Sequence, residues 1–339
     1  MKTKNYFKIT ILLLSLLLFT TGCTKQLKDS NGKVVKNEVT GQTLTQNILC
    51  RPESEETLKA YQETIETTKN KLDEQLSNNE ITRKTYDKKM ATLPNLEELP
   101  TCSDFKITSG GYEGIWTTIF VKPLAWVILQ VGKLVKNYGI AVIMVTLLIR
   151  FIMYPATKKT AMQSELMKEI KPEMDRIEKK YRNRTDQESM MQKSQETLLL
   201  YKKYNISPFS GCIYAIFQIP LFFAFYEALN RLPAIFEENL LGFQLGTNPG
   251  TGILNGQFQY LITVILVILA TYFSMKLNKT ASLDNEQAKS METMMNIMIV
   301  MICISSLTIS TGIALYWITN NAFTIIQNLL VKRRKEKNA

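Results

Sequence analysis

Arg150 is the residue whose surroundings most demand a chemical explanation. It lies eleven residues into the apolar stretch GIAVIMVTLLIRFIMYP (139–155), which carries no Asp or Glu, and the next charge is Lys158. An arginine at the centre of a membrane helix costs about 2.5–3.5 kcal/mol on insertion scales, so it faces protein or water, or snorkels to an interface. Eight residues to Lys158 is about 12 Å along a helix, which an Arg side chain covers in part. Both readings stand on physics alone. The company Arg150 keeps is polar and mostly uncharged: Thr146, Gln218, Thr263, Thr271, Thr319, Asn320, Asn321, Thr324 and Gln327 fall in apolar stretches. Apart from Glu227 at one end of 209–229, the stretches 139–155, 209–229, 258–275 and 294–331 hold no carboxylate. Such groups suit a hydrated concavity that draws in acidic segments transiently. The plainer alternative is interhelical hydrogen bonding, at about 0.6 kcal/mol per pair.

Other chemistries drop out. There is no histidine in 339 residues, which removes imidazole acid–base catalysis, Ser-His-Asp and Cys-His pairs, and His metal sites. No GxxxxGKS/T phosphate loop, G-x-S-x-G elbow or paired membrane aspartate is present, so neither a nucleotide site nor an intramembrane protease is indicated. No cofactor or metal is expected.

The elements that must position Arg150 follow from charge and apolarity, which alternate in blocks. The chain has 41 Lys+Arg against 30 Asp+Glu, a net charge of +11, and a mean hydropathy of −0.05 that hides long apolar tracts. The tract 294–331 is too long for one crossing, and SSLTISTG (305–312) offers a turn in it. The pattern predicts an all-α polytopic membrane protein with five spans at about 139–155, 209–229, 258–275, 291–308 and 312–331, within a core of residues 137–331. The loop 156–206 holds twelve Lys/Arg, 277–290 two and the tail 332–339 five, whereas 230–257 holds only Arg231. By the positive-inside bias the first three face the cytoplasm, and the N-terminal region and 230–257 face outward. Residues 111–136, with Trp116 and Trp126 among helically spaced apolar positions broken by Lys122, Pro123, Gln130 and Lys133, fit an interfacial helix better than another span.

The N-terminus agrees. MKTKNYFK and a short apolar run describe an export signal over residues 1–22, too short to cross as a helix. Thr21-Gly22-Cys23 resembles a bacterial lipobox, which makes Cys23 the expected lipidation site and the mature N-terminus; Thr20 departs from the usual Leu or Val. Residues 23–110 then form an extracytoplasmic region: a polar tether over 24–49 and a helical hairpin over 53–92. Cys50 and Cys102 bracket the hairpin and suit a disulfide in an exported segment, or two separate thiols.

The cytoplasmic loop 156–206 repeats Met162, Leu166, Ile170, Met174, Ile177 and Tyr181 at helical spacing. Met190, Ser194, Leu198 and Tyr201 follow after the polar turn RNRTD. It reads as a basic helical hairpin whose Met-rich stripe either zips the two arms together or meets varied apolar partners.

Several motifs together resemble the YidC/Oxa/Alb3 membrane protein insertases. They are TLLIRFIMYP (146–155), Pro172-Glu173, LYKKYNISPFSGC (200–212), IFQIPLFFAFYEAL (216–229) and ALYWITNNAFTIIQ (314–327). Their order and spacing over residues 111–332 are those of the five-span, lipoprotein-signal branch. Ser207-Pro208 stands where Asn-Pro is commoner, and the region 24–110 lies outside the shared part. The resemblance implies a groove open to cytoplasm and lipid, with Arg150 inside it. Trp317, Asn320 and Gln327 would stand along the groove or its flank, and Thr146, Gln218 and Thr271, singled out above by their polarity, suit the same groove. Its partners would be nascent membrane proteins with short or acidic exported tails, membrane lipids, the ribosome and the Sec translocase, with no specific nucleic acid. It implies insertion without nucleotide hydrolysis, at a bacterial plasma membrane, with a lipid-anchored N-terminus outside and the basic tail 332–339 in the cytoplasm. A small-solute or ion transporter is the rival, though one membrane Arg and no inverted repeat suit it poorly.

Overall fold

The computed structural model describes residues 24–184, 186–207, 210–278 and 285–338. Cys23 and the export signal lie outside them. The regular elements of the described chain are helices, apart from one two-stranded ribbon and a few isolated bridges. Its contacts divide it into two units: Met1–Val145, Phe222–Leu261 and Thr308–Leu315 in the first, and Thr146–Leu221, Ile262–Leu307 and Tyr316–Ala339 in the second.

The first unit contains the region 24–110. The composition of 24–49 suggests a tether, but the structure folds it through antiparallel bridges Gln26↔Thr45, Lys28↔Val34 and Lys36↔Thr43. Leu27, Leu44 and Ile48 from this segment pack with Tyr61 into a small core. The reason is a sparse apolar pattern: three residues scattered over a polar stretch are enough once a helix offers Tyr61 to cover. Tyr61 is fully buried, and its hydroxyl donates to Thr45 O at 2.7 Å. That helix, α1 (Glu55–Ser77), starts at Ser54, whose hydroxyl accepts from Thr57 N, an ordinary N-cap. After a turn with Asn79 in the left-handed region comes α2 (Arg83–Met90), capped by Thr82. Cys50 and Cys102 are joined by a disulfide, 4.9 Å between Cα atoms, at the root of this helical pair.

A π-helical turn (Thr117–Val121) leads into α3 (Lys122–Val135). Lys122 is buried, and its Nζ donates to Ser109 O at 2.6 Å and Gly111 O at 2.5 Å, which is how an apolar helix tolerates it. Lys133 likewise donates to Ser103 O. The same unit holds the ends of four long helices: α4 (Tyr138–Glu169), α7 (Ser210–Asn230), α10 (Tyr260–Asn278) and α12 (Thr311–Asn338). Two short helices, α8 (Pro233–Phe236) and α9 (Pro249–Leu254), and the ribbon β1 (Asn239–Leu240) with β2 (Phe243–Gln244) connect them.

The second unit holds the rest of those helices, with α5 (Lys171–Tyr181), α6 (Gln187–Lys203) and α11 (Asn285–Thr308). Helix α4 runs past Pro155, where the sequence pattern ends its span. Proline removes one i→i−4 bond, and just beyond it the Thr157 hydroxyl sits 3.2 Å from the carbonyls of Met153 and Tyr154.

By length and composition, three described helical stretches can cross a membrane: Thr117–Val135, Tyr138–Glu169 and Tyr260–Leu277. The first is the segment expected to lie in the interface, and its length admits either placement. The exposure pattern points the same way as the composition. Along α10, Thr263, Thr271 and Ser274 are buried while Ile262, Ile265, Leu269 and Phe273 are exposed. Along α12, Asn320, Thr324, Gln327 and Asn328 are buried while Ile326, Leu329 and Leu330 are exposed. In water that arrangement is inside out; in lipid it is the low-energy one, because the apolar face needs no cover and the polar groups need partners.

Candidate functional site

Arg150, 1% exposed, is hydrogen-bonded to side chains of two other helices. Its Nε donates to Asn320 Oδ1 on α12 at 2.6 Å, and its Nη2 donates to Gln218 Oε1 on α7 at 2.9 Å. Amide oxygens orient a guanidinium without cancelling its charge, unlike a carboxylate. Thr146, also buried, stands one turn before Arg150 on α4. Two turns after it, the Thr157 hydroxyl donates to Gln327 Oε1 at 3.0 Å. On the other side of α12, Trp317 Nε1 donates to Thr271 Oγ1 on α10 at 2.9 Å, and that hydroxyl donates on to Val267 O at 2.7 Å. The Thr324 hydroxyl donates back to Asn320 O at 3.0 Å, which leaves the Asn320 amide oxygen to the arginine.

Of the residues singled out in the sequence, Arg150, Gln218 and Asn320 thus meet directly, Trp317 meets Thr271, and Gln327 meets Thr157. The sequence reading missed Thr157, because Pro155 looked like the end of the span. Its signal was available: it lies seven residues, two helical turns, beyond Arg150, as Gln327 lies seven beyond Asn320.

The hairpin α5–α6 packs on the end of α4. Met167, Ile170, Met174, Leu200, Tyr201 and Ile206 form its core. The first-arm stripe therefore zips the arms, but Met190 and Leu198 of the expected second-arm stripe are about half exposed, as are Met162, Met191 and Leu199. Polar clasps flank the core. Lys180 Nζ and the Tyr181 hydroxyl both reach Glu196 Oε1, at 2.5 and 2.9 Å. The Tyr204 hydroxyl and Lys203 Nζ both reach Glu173, the latter at 3.2 Å. Hydrogen bonds from Lys180 and Tyr181 hold Glu196 below the usual carboxylate range, and those from Tyr204 and Lys203 do the same for Glu173.

In the first unit a buried charge cluster gathers at the far end of α7. Arg231, with a fully buried side chain, pairs through Nη2 with Glu113 at 2.6 Å, and its Nε donates to Asn47 O at 2.6 Å. Trp116 Nε1 donates to Glu227 Oε1 at 3.1 Å. Among the described residues no cluster of His, Cys, Asp and Glu could hold a metal ion.

Apolar helices with exposed greasy faces, around a concealed polar cluster centred on one arginine, define a helical integral membrane protein. Residues 130–338 match the family described as 60Kd inner membrane protein, and the chain belongs to that family, the YidC/Oxa/Alb3 group. Over 223 residues it is 35% identical to the membrane protein insertase YidC of Oceanobacillus iheyensis, a match covering 65% of this chain and 85% of that one. It is 33% identical over 218 residues to the membrane protein insertase MisCA of Bacillus subtilis, covering 64% and 79%. A solved structure titled as an active YidC insertase with its first transmembrane domain resolved aligns with 78% of this chain and 52% of that one, at 23% identity and a TM-score of 0.45.

Proposed function

We propose that the protein is a membrane protein insertase, acting on nascent membrane proteins with short or acidic exported tails. The observation that carries this reading is the Arg150 guanidinium held by the neutral amides of Asn320 and Gln218. It presents positive charge at membrane depth, where the low-dielectric walls of a wet groove focus its field on a carboxylate of a passing tail. Five spans, at α4, α7, α10, α11 and α12, surround a groove that contains Arg150, Thr146, Gln218 and Asn320, with Gln327 along it and Trp317 and Thr271 on its flank. The parallel run of α4 and α12 supports an odd number of crossings. With the N-terminal region outside, as the export signal implies, Thr117–Val135 lies along the outer interface rather than across the bilayer.

The half-exposed Met162, Met190, Met191, Leu198 and Leu199 make the hairpin a soft landing surface for apolar substrate segments arriving from the ribosome or beside the Sec translocase. The tail enters the wet groove while the substrate helix partitions into lipid. Hydrophobic transfer, aided by membrane potential acting on acidic groups, supplies the driving force, and no nucleotide is hydrolysed. Cys23 carries the lipid anchor on the outer face of a plasma membrane, and the basic tail 332–339 faces the cytoplasm. The test is reconstitution: purified protein in liposomes inserts a short single-span substrate with its tail protected from external protease. Solute flux without insertion would favour the transporter instead.

A further inference from the structure

We propose that the region 24–93 carries a binding cavity for acidic peptide segments, on the side of the membrane where exported tails emerge. The cavity, about 780 Å³, opens between the bridged segment that begins at Thr24 and the helical pair α1–α2. A space of that size suits a few residues of chain. Its wall brings together four lysines, Lys25, Lys28, Lys71 and Lys89, with Asp29 as the one carboxylate among the lining residues. Asp29 is already committed: its Oδ1 accepts from the backbone N–H groups of Asn31 and Lys33 at 2.8 and 2.9 Å.

The concentration of positive charge is not a reflection of composition. Residues 24–110 hold thirteen Lys and Arg against fourteen Asp and Glu, so a random wall would be neutral. Elsewhere in the region cations have carboxylate neighbours, as Lys59 with Glu63 and Arg83 with Asp87. Among the described residues none of the four cavity lysines makes an ion pair, and Lys71 reaches only the neutral Asn31 Oδ1.

The remaining polar groups of the wall, Gln26, Gln46 and Gln75 among them, are neutral, so nothing besides Asp29 offsets the four ammonium groups. Leu93, half-buried in the same wall, contributes apolar surface, which favours a peptide over a bare inorganic anion. Naming an exported tail as the source rests on the proposed insertase function; the cavity's preference for acidic peptide does not.

The test uses the full chain in nanodiscs of zwitterionic lipid and a short fluorescent peptide rich in Asp and Glu, with its Asn/Gln counterpart as control. Anisotropy is expected to report binding of the acidic peptide alone, weakening with salt. The variant Lys28→Gln/Lys71→Gln/Lys89→Gln is expected to weaken it about tenfold, since each exposed charge pair contributes a few-fold, while Lys59→Gln/Lys84→Gln/Lys88→Gln, which removes as much charge from the same region but outside the cavity wall, leaves it unchanged. Equal binding by the first variant and the unmodified protein would overturn the proposal. So would an equal loss in Lys59→Gln/Lys84→Gln/Lys88→Gln, which would assign the binding to the overall charge of the region and leave the insertase reading standing. Displacement by equimolar inorganic phosphate would reassign the cavity to phosphate-bearing ligands and overturn the peptide assignment.

Discussion

Arg150 and Asn320, 170 residues apart, are joined by a 2.6 Å hydrogen bond, and seven residues further along each helix Thr157 and Gln327 repeat the pairing at the same offset of 170. Two rungs with one offset mean that α4 and α12 run parallel and in step, about 10 Å between rungs. The rung at Asn320 fixes the arginine's direction through a neutral acceptor.

Asn320→Asp separates those two contributions. The aspartate keeps the acceptor but supplies a carboxylate, so the guanidinium becomes an internal ion pair. Thermal stability should be retained or raised, while insertion of acidic-tailed substrates falls several-fold. Asn320→Leu should instead lower the midpoint by loosening the rung, a loss of about 1–3 kcal/mol for leaving a buried donor without its acceptor.

The Cys50–Cys102 bond closes a separation of 52 residues. Chain-entropy arithmetic puts its contribution near 4 kcal/mol for the region it encloses. Cys50→Ser/Cys102→Ser should speed hydrogen exchange across α1 and α2 and leave α4 and α12 unaffected. Unchanged exchange in α1 would mean that the Leu27–Leu44–Tyr61 core suffices alone.

Arg231 fastens the segment before that disulfide to Glu113 after it, through Asn47 O and the ion pair. Removing one partner of a buried pair costs about 3–5 kcal/mol. Arg231→Met should therefore lower the thermal midpoint of the first unit markedly. Arg231→Met/Glu113→Gln should recover part of the loss, because the second change removes the stranded carboxylate. A double variant less stable than the single one would contradict this account.

Acid should loosen the hairpin before the membrane helices. Glu173 and Glu196 titrate below their unfolded values, so near pH 4 the unfolded chain binds more protons. Their contribution is complete above the ordinary carboxylate value of about 4.3 and fades as pH falls through their folded values. Exchange in α5 and α6 should quicken below about pH 4, and Glu196→Gln should flatten that response.

Much of the membrane architecture was legible in the residues. Arg150, Gln218 and Asn320 stood out because polar groups in apolar stretches have few innocent explanations. Trp317 came through the family motif rather than through physics, and Gln327 through both. Thr157 was missed because Pro155 ordinarily ends a helix, and the neighbouring chain that steadies α4 is distant in sequence. Glu113, Lys122 and Arg231 were missed for another reason. Charges in or beside loops look solvated, and only a fold that returns Asn47, Ser109 and Gly111 to them shows that they are buried. The bridges of 24–49 were hidden by a polar composition in which three apolar residues carry the packing.

The central claim is that positive charge at position 150 serves insertion. The direct measurement compares Arg150→Lys and Arg150→Ala in liposomes, scoring protease-protected tails of an acidic-tailed single-span substrate and of its neutral-tailed counterpart. The account predicts that Lys retains activity, that Ala loses about tenfold on the acidic tail, a difference of about 1.4 kcal/mol, and that the neutral tail is affected less. Full activity of Arg150→Ala on both substrates would contradict it and return Arg150 to the role of an anchor reaching for the interface.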